Sequence, residues 1–328
     1  ERRARPEGPS RKRQRGATSE DRSSDSAPAL MEGDRKSVSQ TMIYQKAVTR
    51  IALRERYMQP AERIRTSSCR SFLRAQTTIE DFVKSYYTLY GLTPTDFLKS
   101  FPLLMYVETT IYELDELNEE QTKSGHSHPP KDFETLWNAL IDVLVSHGLF
   151  EAKVIKELQK GRKYWAGERE ICAQLRIGTS GAKWDMDYAI KTSEDKSFDY
   201  RLLHRLLCQL EKKEYNEDLF QMMFYNEHLV DIADDLYDYE TDVERNSFNI
   251  LRCYVRQYRS KAPLHLAERI SHFEKKYFES LEKLPKELQE RHLKREKGAM
   301  AESGARNWVF PPLILDEDEY RDNLGNDR

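Results

Sequence analysis

The sequence predicts an all-α fold, and three observations predict it. From about residue 43 to residue 310, apolar side chains recur at intervals of three and four, strand-type alternation is rare, and glycine and proline number only 13 and 12 in 328 residues. A composition of 38% apolar and 33% charged residues suits a water-soluble globular chain, and one helical domain of roughly 250 to 300 residues is large enough to bury a substantial core. No window approaches 18 consecutive apolar residues, so no membrane span is expected. The net charge of −3 argues against a chain-wide attraction to nucleic acid. Cys69, Cys172, Cys208 and Cys253 form no CxxC pair, which points to reduced intracellular thiols and away from a zinc site or disulfide framework.

Residues 1–42 are rich in Arg, Ser, Pro and Gly and too poor in large apolar groups to offset the entropy of ordering, so a disordered basic segment is expected. Its Arg11-Lys12-Arg13-Gln14-Arg15 run reads first as solvated charge, consistent with a cytoplasmic protein, while plastid or nuclear targeting stays open. Residues 43–312 form the helical domain, and 313–328 an acidic flexible tail. Helix breaks are expected at residues 91–95, 124–130, 178–181, 191–199 and 261–263, where Gly, Pro or clustered polar residues interrupt the pattern. Thr95-Asp96 and Asp132 offer side-chain oxygens as N-caps for the helices that follow the first two breaks.

Two segments carry candidate chemistry. Residues 231–244 hold seven carboxylates, and at 100° per residue Asp231, Asp234, Asp235, Asp238 and Asp242 fall in one stripe beside an apolar stripe of Ile232, Leu236, Tyr239 and Val243. One helix with a packed face and an acidic face is expected. Like charges at i and i+4 disfavour such a ladder unless basic groups or a hard divalent cation neutralise it. A second cluster, Asp115, Glu116, Glu119 and Glu120, ends an apolar and aromatic run from residue 103, with Asp115 and Glu119 on the face of Glu108 and Tyr112. The His126-Ser127-His128 pair, in a Pro-flanked loop, reads as solvated.

Asp234-Asp235-Leu236-Tyr237-Asp238-Tyr239-Glu240-Thr241-Asp242 resembles the second metal-binding motif, (N/D)Dxx(S/T)xxxE, of class I terpene synthases, and the Arg245-Asn246-Ser247-Phe248-Asn249 stretch resembles the residues that trail this motif in the family. Asp115-Glu116-Leu117-Asn118-Glu119 resembles the first, DDxx(D/E), and the 119 residues separating Asp115 from Asp234 resemble the family's spacing. Arg176, ahead of the glycine-broken residues 177–181, resembles the diphosphate-sensing arginine, with Arg169 and Arg201 as rivals. Arg306 lies 72 residues past Asp234, where the family tends to carry an Arg-Tyr pair, although Asn307 replaces the tyrosine. Three ligand positions depart from the motifs, namely Glu116 for Asp, Asp238 for Ser or Thr, and Asp242 for Glu, yet each keeps an oxygen ligand.

The resemblance implies a single-domain class I terpenoid synthase-like helical bundle around a central apolar cavity. It also implies three Mg²⁺ ions, with Mn²⁺ as a substitute, held by Asp115, Glu116, Glu119, Asp234, Asp235, Asp238 and Asp242, with Arg176 and Arg306 on the diphosphate. The implied activity is that of a lyase ionising a prenyl diphosphate, farnesyl diphosphate favoured, and cyclising or quenching the carbocation. No nucleic-acid partner and no stable membrane insertion are expected, and a monomer or homodimer is expected. No paired arginines follow the first motif, which weighs against chain elongation, and no DxDD occurs, which weighs against protonation-initiated cyclisation. The alternative is a noncatalytic protein of the same fold acting as a binding or regulatory module.

Overall fold

The computed structural model describes residues 68–176, 184–303 and 308–326. Among these, every regular element is helical. Helix α1 (Cys69–Phe82) starts where the Ser68 hydroxyl accepts the Ser71 N–H at 3.0 Å, and it runs into a wide π turn, Val83–Tyr87. A turn with Gly91 at φ +62° leads to α2 (Pro94–Lys123), whose 30 residues span about 45 Å. Its cap is Thr93, two residues before the expected Thr95. Pro94 takes the first helical position, where no N–H is needed, and Asp96 reaches back to the Thr93 N–H at 2.9 Å and hydroxyl at 2.7 Å.

Next come α3 (Phe133–Ser146), α4 (Ala152–Arg176), α5 (Met186–Asp195), α6 (Phe198–Leu210) and α7 (Glu217–Tyr237). They are followed by α8 (Tyr239–Arg245), α9 (Ile250–Tyr258), α10 (Ala262–Leu281), α11 (Lys286–Ser303) and α12 (Glu317–Asn326). The breaks expected at 91–95 and 124–130 are present, that expected at 261–263 falls at Arg259–Lys261 with Pro263 already in the first turn of α10, and that at 178–181 lies outside the described residues. The break expected over 191–199 shrinks to Lys196-Ser197, because α5 continues to Asp195. Residues 231–244 do not form the single helix expected from their periodicity. Asp238, at φ −89° and ψ 5°, separates α7 from α8 in the middle of the like-charge ladder that weakens a continuous helix. The apolar stripe survives the bend, with Ile232, Leu236, Tyr239 and Val243 all buried.

Helix α2 packs against α1, α3, α4 and α6, and α10 packs against α7 and α9. At the centre the Trp165 ring, 1% exposed, meets Phe133 and Phe198 edge-on at 5.3 and 5.0 Å. Helix α4 approaches its neighbours closely because two positions lack a side chain. A Cβ on Gly161 would stand 2.4 Å from the Phe198 ring, and one on Gly167 would stand 2.4 Å from the Thr192 hydroxyl. The segment expected as an acidic tail instead carries α12, which packs on α8, and Ile314, whose backbone exchanges hydrogen bonds with the Tyr239 hydroxyl. No described helix is long and apolar enough to cross a membrane. Cys172, Cys208 and Cys253 are buried, Cys69 is exposed, and all four are free thiols.

Candidate metal centre

The amide of Asn246 brings the two acidic clusters to one end of the bundle. It stands just past α8 in a left-handed conformation (φ +55°) and donates to the carbonyl of Thr122 at 2.8 Å and of Cys172 at 3.3 Å. Those carbonyls belong to the last turns of α2 and α4, so the chain leaving the second cluster is tied three residues beyond Glu119. Asn249 completes the connection. Its amide donates to the Asp235 carbonyl at 2.6 Å and to the Asp242 carboxylate at 2.9 Å, while its oxygen caps α9 through the Leu251 N–H. Arg252, fully buried, anchors the turn from below, donating to Asn246 Oδ1 at 3.0 Å, to the Ser247 carbonyl, and to both oxygens of Glu317 at 2.9 and 2.6 Å.

On α2, Asp115 accepts the Trp165 indole N–H at 3.2 Å and lies 3.6 Å from Arg74. Glu116 pairs with Arg70 and Arg74 at 3.4 and 3.6 Å, and Glu119 pairs with Lys123 at 3.0 Å. On α7, Asp235 is 2% exposed and both its oxygens are engaged, Oδ1 by Lys196 Nζ at 2.7 Å and Oδ2 by the Ile250 N–H at 2.8 Å. Asp231 accepts the Ser197 hydroxyl at 2.7 Å on Oδ1, while its buried Oδ2 has no partner among the described residues. Asp238 and Asp242 are half-buried and Asp234 is exposed. Protein cations therefore supply part of the neutralisation that the like-charge ladder requires.

Helix α4 places Tyr164 and Glu168, one turn apart, between the clusters. Glu168 accepts the Asn118 amide at 2.5 Å, and burial together with Asp115 pushes its carboxyl up to about 8. Burial, then the carboxylates Glu168, Asp115, Asp235 and Asp231, hold the Tyr164 hydroxyl well above its ordinary range, so one ring is in the field of both clusters. Asp115 is raised to about 6 by burial and Glu119, and burial raises Asp231 and Asp242 to about 7 each. Burial works against the charge on Lys196, but Asp235 and Asp231 outweigh it and hold the ammonium ionised. Two turns below Asp115, Glu108 is fully buried with neither oxygen hydrogen-bonded to an N–H or hydroxyl, and burial followed by Asp199 drives its carboxyl well upward.

All the donors in the cluster are hard oxygens, the class that Mg²⁺ and Mn²⁺ prefer, and the unpartnered Asp231 Oδ2 and the raised carboxyls fit a site completed by a cation. Among the described residues, no three metal-ligating side chains already stand close enough to enclose an ion. Arg176 ends α4 exposed, with its guanidinium on the Lys123 carbonyl at the same end of the bundle, and Arg306 lies outside the described residues. The rivals are committed elsewhere, Arg169 to Asn118 and the Ser127 carbonyl, Arg201 to Glu157, Glu227 and the carbonyls before α6. His126 and His128 stack at 5.1 Å in their exposed loop. Beside Asp231 opens a recess of about 170 Å³, walled by Tyr86, Tyr200, Met223 and Val230 with Glu227.

Sequence reasoning missed Glu168, Tyr164, Lys196 and Arg74, which lie far from either motif and take their role from packing alone. Asn249 had a local signal, an Asn directly before the apolar start of a helix. No protein family, curated protein or solved structure matches the chain.

Proposed function

We propose that the chain is a metal-dependent lyase of the class I terpene synthase type, which ionises a prenyl diphosphate, farnesyl diphosphate by preference, and cyclises or quenches the resulting carbocation. The observation that supports this is the tie from Asn246 to the ends of α2 and α4, with Asp115 from one cluster and Asp231 and Asp235 from the other all within electrostatic reach of Tyr164. Asp115, Glu116 and Glu119 on one side and Asp234, Asp235, Asp238 and Asp242 on the other would hold the ions. Bound Mg²⁺ supplies Lewis-acid stabilisation of the charge that develops on a departing diphosphate.

The chain's own residues do the rest. Asn249 and Asn246 fix the carboxylates in place, Trp165 orients Asp115, and Arg176 offers a guanidinium at the diphosphate end. Tyr164 in the core and the partly buried Tyr112, over whose ring the Arg74 guanidinium stacks at 4.3 Å, would help exclude water from a cation formed nearby.

One observation favours a second reading, a noncatalytic binding or regulatory protein of the same fold, because Arg74 and Lys196 already pair with Asp115 and Asp235. Incubation with geranyl, farnesyl and geranylgeranyl diphosphates, with and without Mg²⁺, separates the two. Released diphosphate and volatile products that require the metal, and that disappear in Asp115→Asn and Asp234→Asn, are the expected result. Folded protein that turns over none of the three substrates rejects catalysis in favour of the second reading.

A further inference from the structure

We propose that Lys196 is the resident counter-cation of this centre: in the metal-free protein its ammonium holds the Asp235 oxygen that a divalent ion takes on loading, and once displaced it binds the incoming diphosphate. The inference rests on the metal-dependent function proposed above. Asp235 has two oxygens, and Oδ2 is committed to the backbone N–H that starts α9. Oδ1 is therefore the oxygen whose partner, a side chain, can be exchanged for an ion, and Lys196 Nζ occupies it at 2.7 Å. A dication and an ammonium on one buried oxygen repel each other strongly, since little water screens them. Loading therefore requires the ammonium to leave.

The local architecture lets the side chain move while the backbone stays. The carbonyls of Asp195 and Lys196 accept Arg201 Nη2 at 3.1 and 2.7 Å, and Arg201 is itself buried against Glu157 and Glu227. Ser197, next in the chain, is held in a left-handed conformation (φ +51°) rare for a residue with a Cβ, and its hydroxyl grips Asp231. The Lys196-Ser197 junction is thus stapled to α7 at two neighbouring carboxylates. Lysine suits the exchange because its ammonium sits on a flexible four-carbon stem and carries three rotatable donors. The ammonium already lies within electrostatic reach of Glu168, which itself accepts the Asn118 amide of α2. When cations neutralise the carboxylates, it becomes an unpaired positive group beside them, available to an anion of several charges.

Titration of the full chain with Mn²⁺ alone, followed by the electron paramagnetic resonance of the unbound ion, tests this. Lys196→Met is expected to bind Mn²⁺ about tenfold more tightly than the wild type, and to bind inorganic diphosphate about tenfold more weakly once Mn²⁺ is saturating. Lys196→Arg, which keeps the charge, is expected to stay near the wild type in Mn²⁺ affinity. Because Lys196→Met leaves Asp235 buried without its cation, the rise in thermal midpoint on adding Mn²⁺ is read as well and should be larger in the variant. Equal or weaker Mn²⁺ binding by Lys196→Met, or unchanged diphosphate binding, overturns the role of Lys196 while leaving the metal centre standing. Absence of Mn²⁺ binding from wild type and variant alike removes the metal-dependent function and this proposal together.

Discussion

Removing the Glu317 carboxylate should loosen the turn that joins the acidic clusters, although Glu317 is distant from both in sequence. The Arg252 guanidinium is fully buried and Glu317 is 16% exposed, and they meet through two hydrogen bonds at 2.9 and 2.6 Å. Breaking a fully buried ion pair by deleting one partner costs about 3–5 kcal/mol. Here water can partly replace the lost carboxylate, and Asn246 and Ser247 still accept from the guanidinium, so Glu317→Ala should cost about 2–3 kcal/mol. For a domain of this size that lowers the thermal midpoint by roughly 4–10 °C. Urea unfolding followed by far-ultraviolet circular dichroism measures the loss, and a cycle with Arg252→Met isolates the coupling, expected at about 1.5–2.5 kcal/mol. Because Arg252 also orients Asn246, Glu317→Ala should weaken Mn²⁺ binding. A loss under about 0.5 kcal/mol with coupling near zero would refute the view that the C-terminal helix braces the site.

Two further outcomes stem from the carboxylates themselves. Asp115, at about 6, and Asp231 and Asp242, at about 7, bind protons more tightly folded than unfolded, where the ordinary value is 3.8. The native state holds the extra protons, so metal-free stability should fall as pH rises from about 4 to 7.5, by about 2 kcal/mol after allowance for the water that reaches these half-buried groups. Mg²⁺ binds the ionised forms, so its stabilising effect should grow across the same range, and urea midpoints at pH 5.5 and 7.5 with and without the metal check both signs. Asp234→Asn and Asp235→Asn should differ in stability while agreeing in function. The exposed Asp234 should cost under about 0.5 kcal/mol, whereas Asp235→Asn strands the Lys196 ammonium at about 2 kcal/mol or more, and both should lose Mn²⁺ affinity in the same titration.

The all-helical architecture was legible because its signals are local, such as the apolar spacing of Ile232, Leu236, Tyr239 and Val243 and the breaks at Gly91 and Ser124-Gly125. The bend at Asp238 was not, since a 100° wheel treats helical geometry as continuous and cannot register the strain of a carboxylate ladder. The cap falls at Thr93 and not at Thr95 because Pro94 marks a helix start more decisively than a hydroxyl does. The acidic residues of both clusters were visible as types and spacings. Their cations were not, because Arg74 and Lys196 reach Asp115 and Asp235 across 41 and 39 residues of chain. The C-terminal segment shows how composition misleads, for acidity implies a solvated tail until Arg252 is found beneath Glu317.

The most direct measurement of the central claim, that the two acidic clusters form one divalent-cation centre, is anomalous diffraction from crystals grown with Mn²⁺ and inorganic diphosphate. Manganese peaks are expected within about 2.5 Å of carboxylate oxygens on both sides, at Asp115 of α2 and at the Asp234 to Asp242 stretch of α7 and α8, with diphosphate density between them. Manganese on neither cluster, or on isolated surface carboxylates alone, would contradict it.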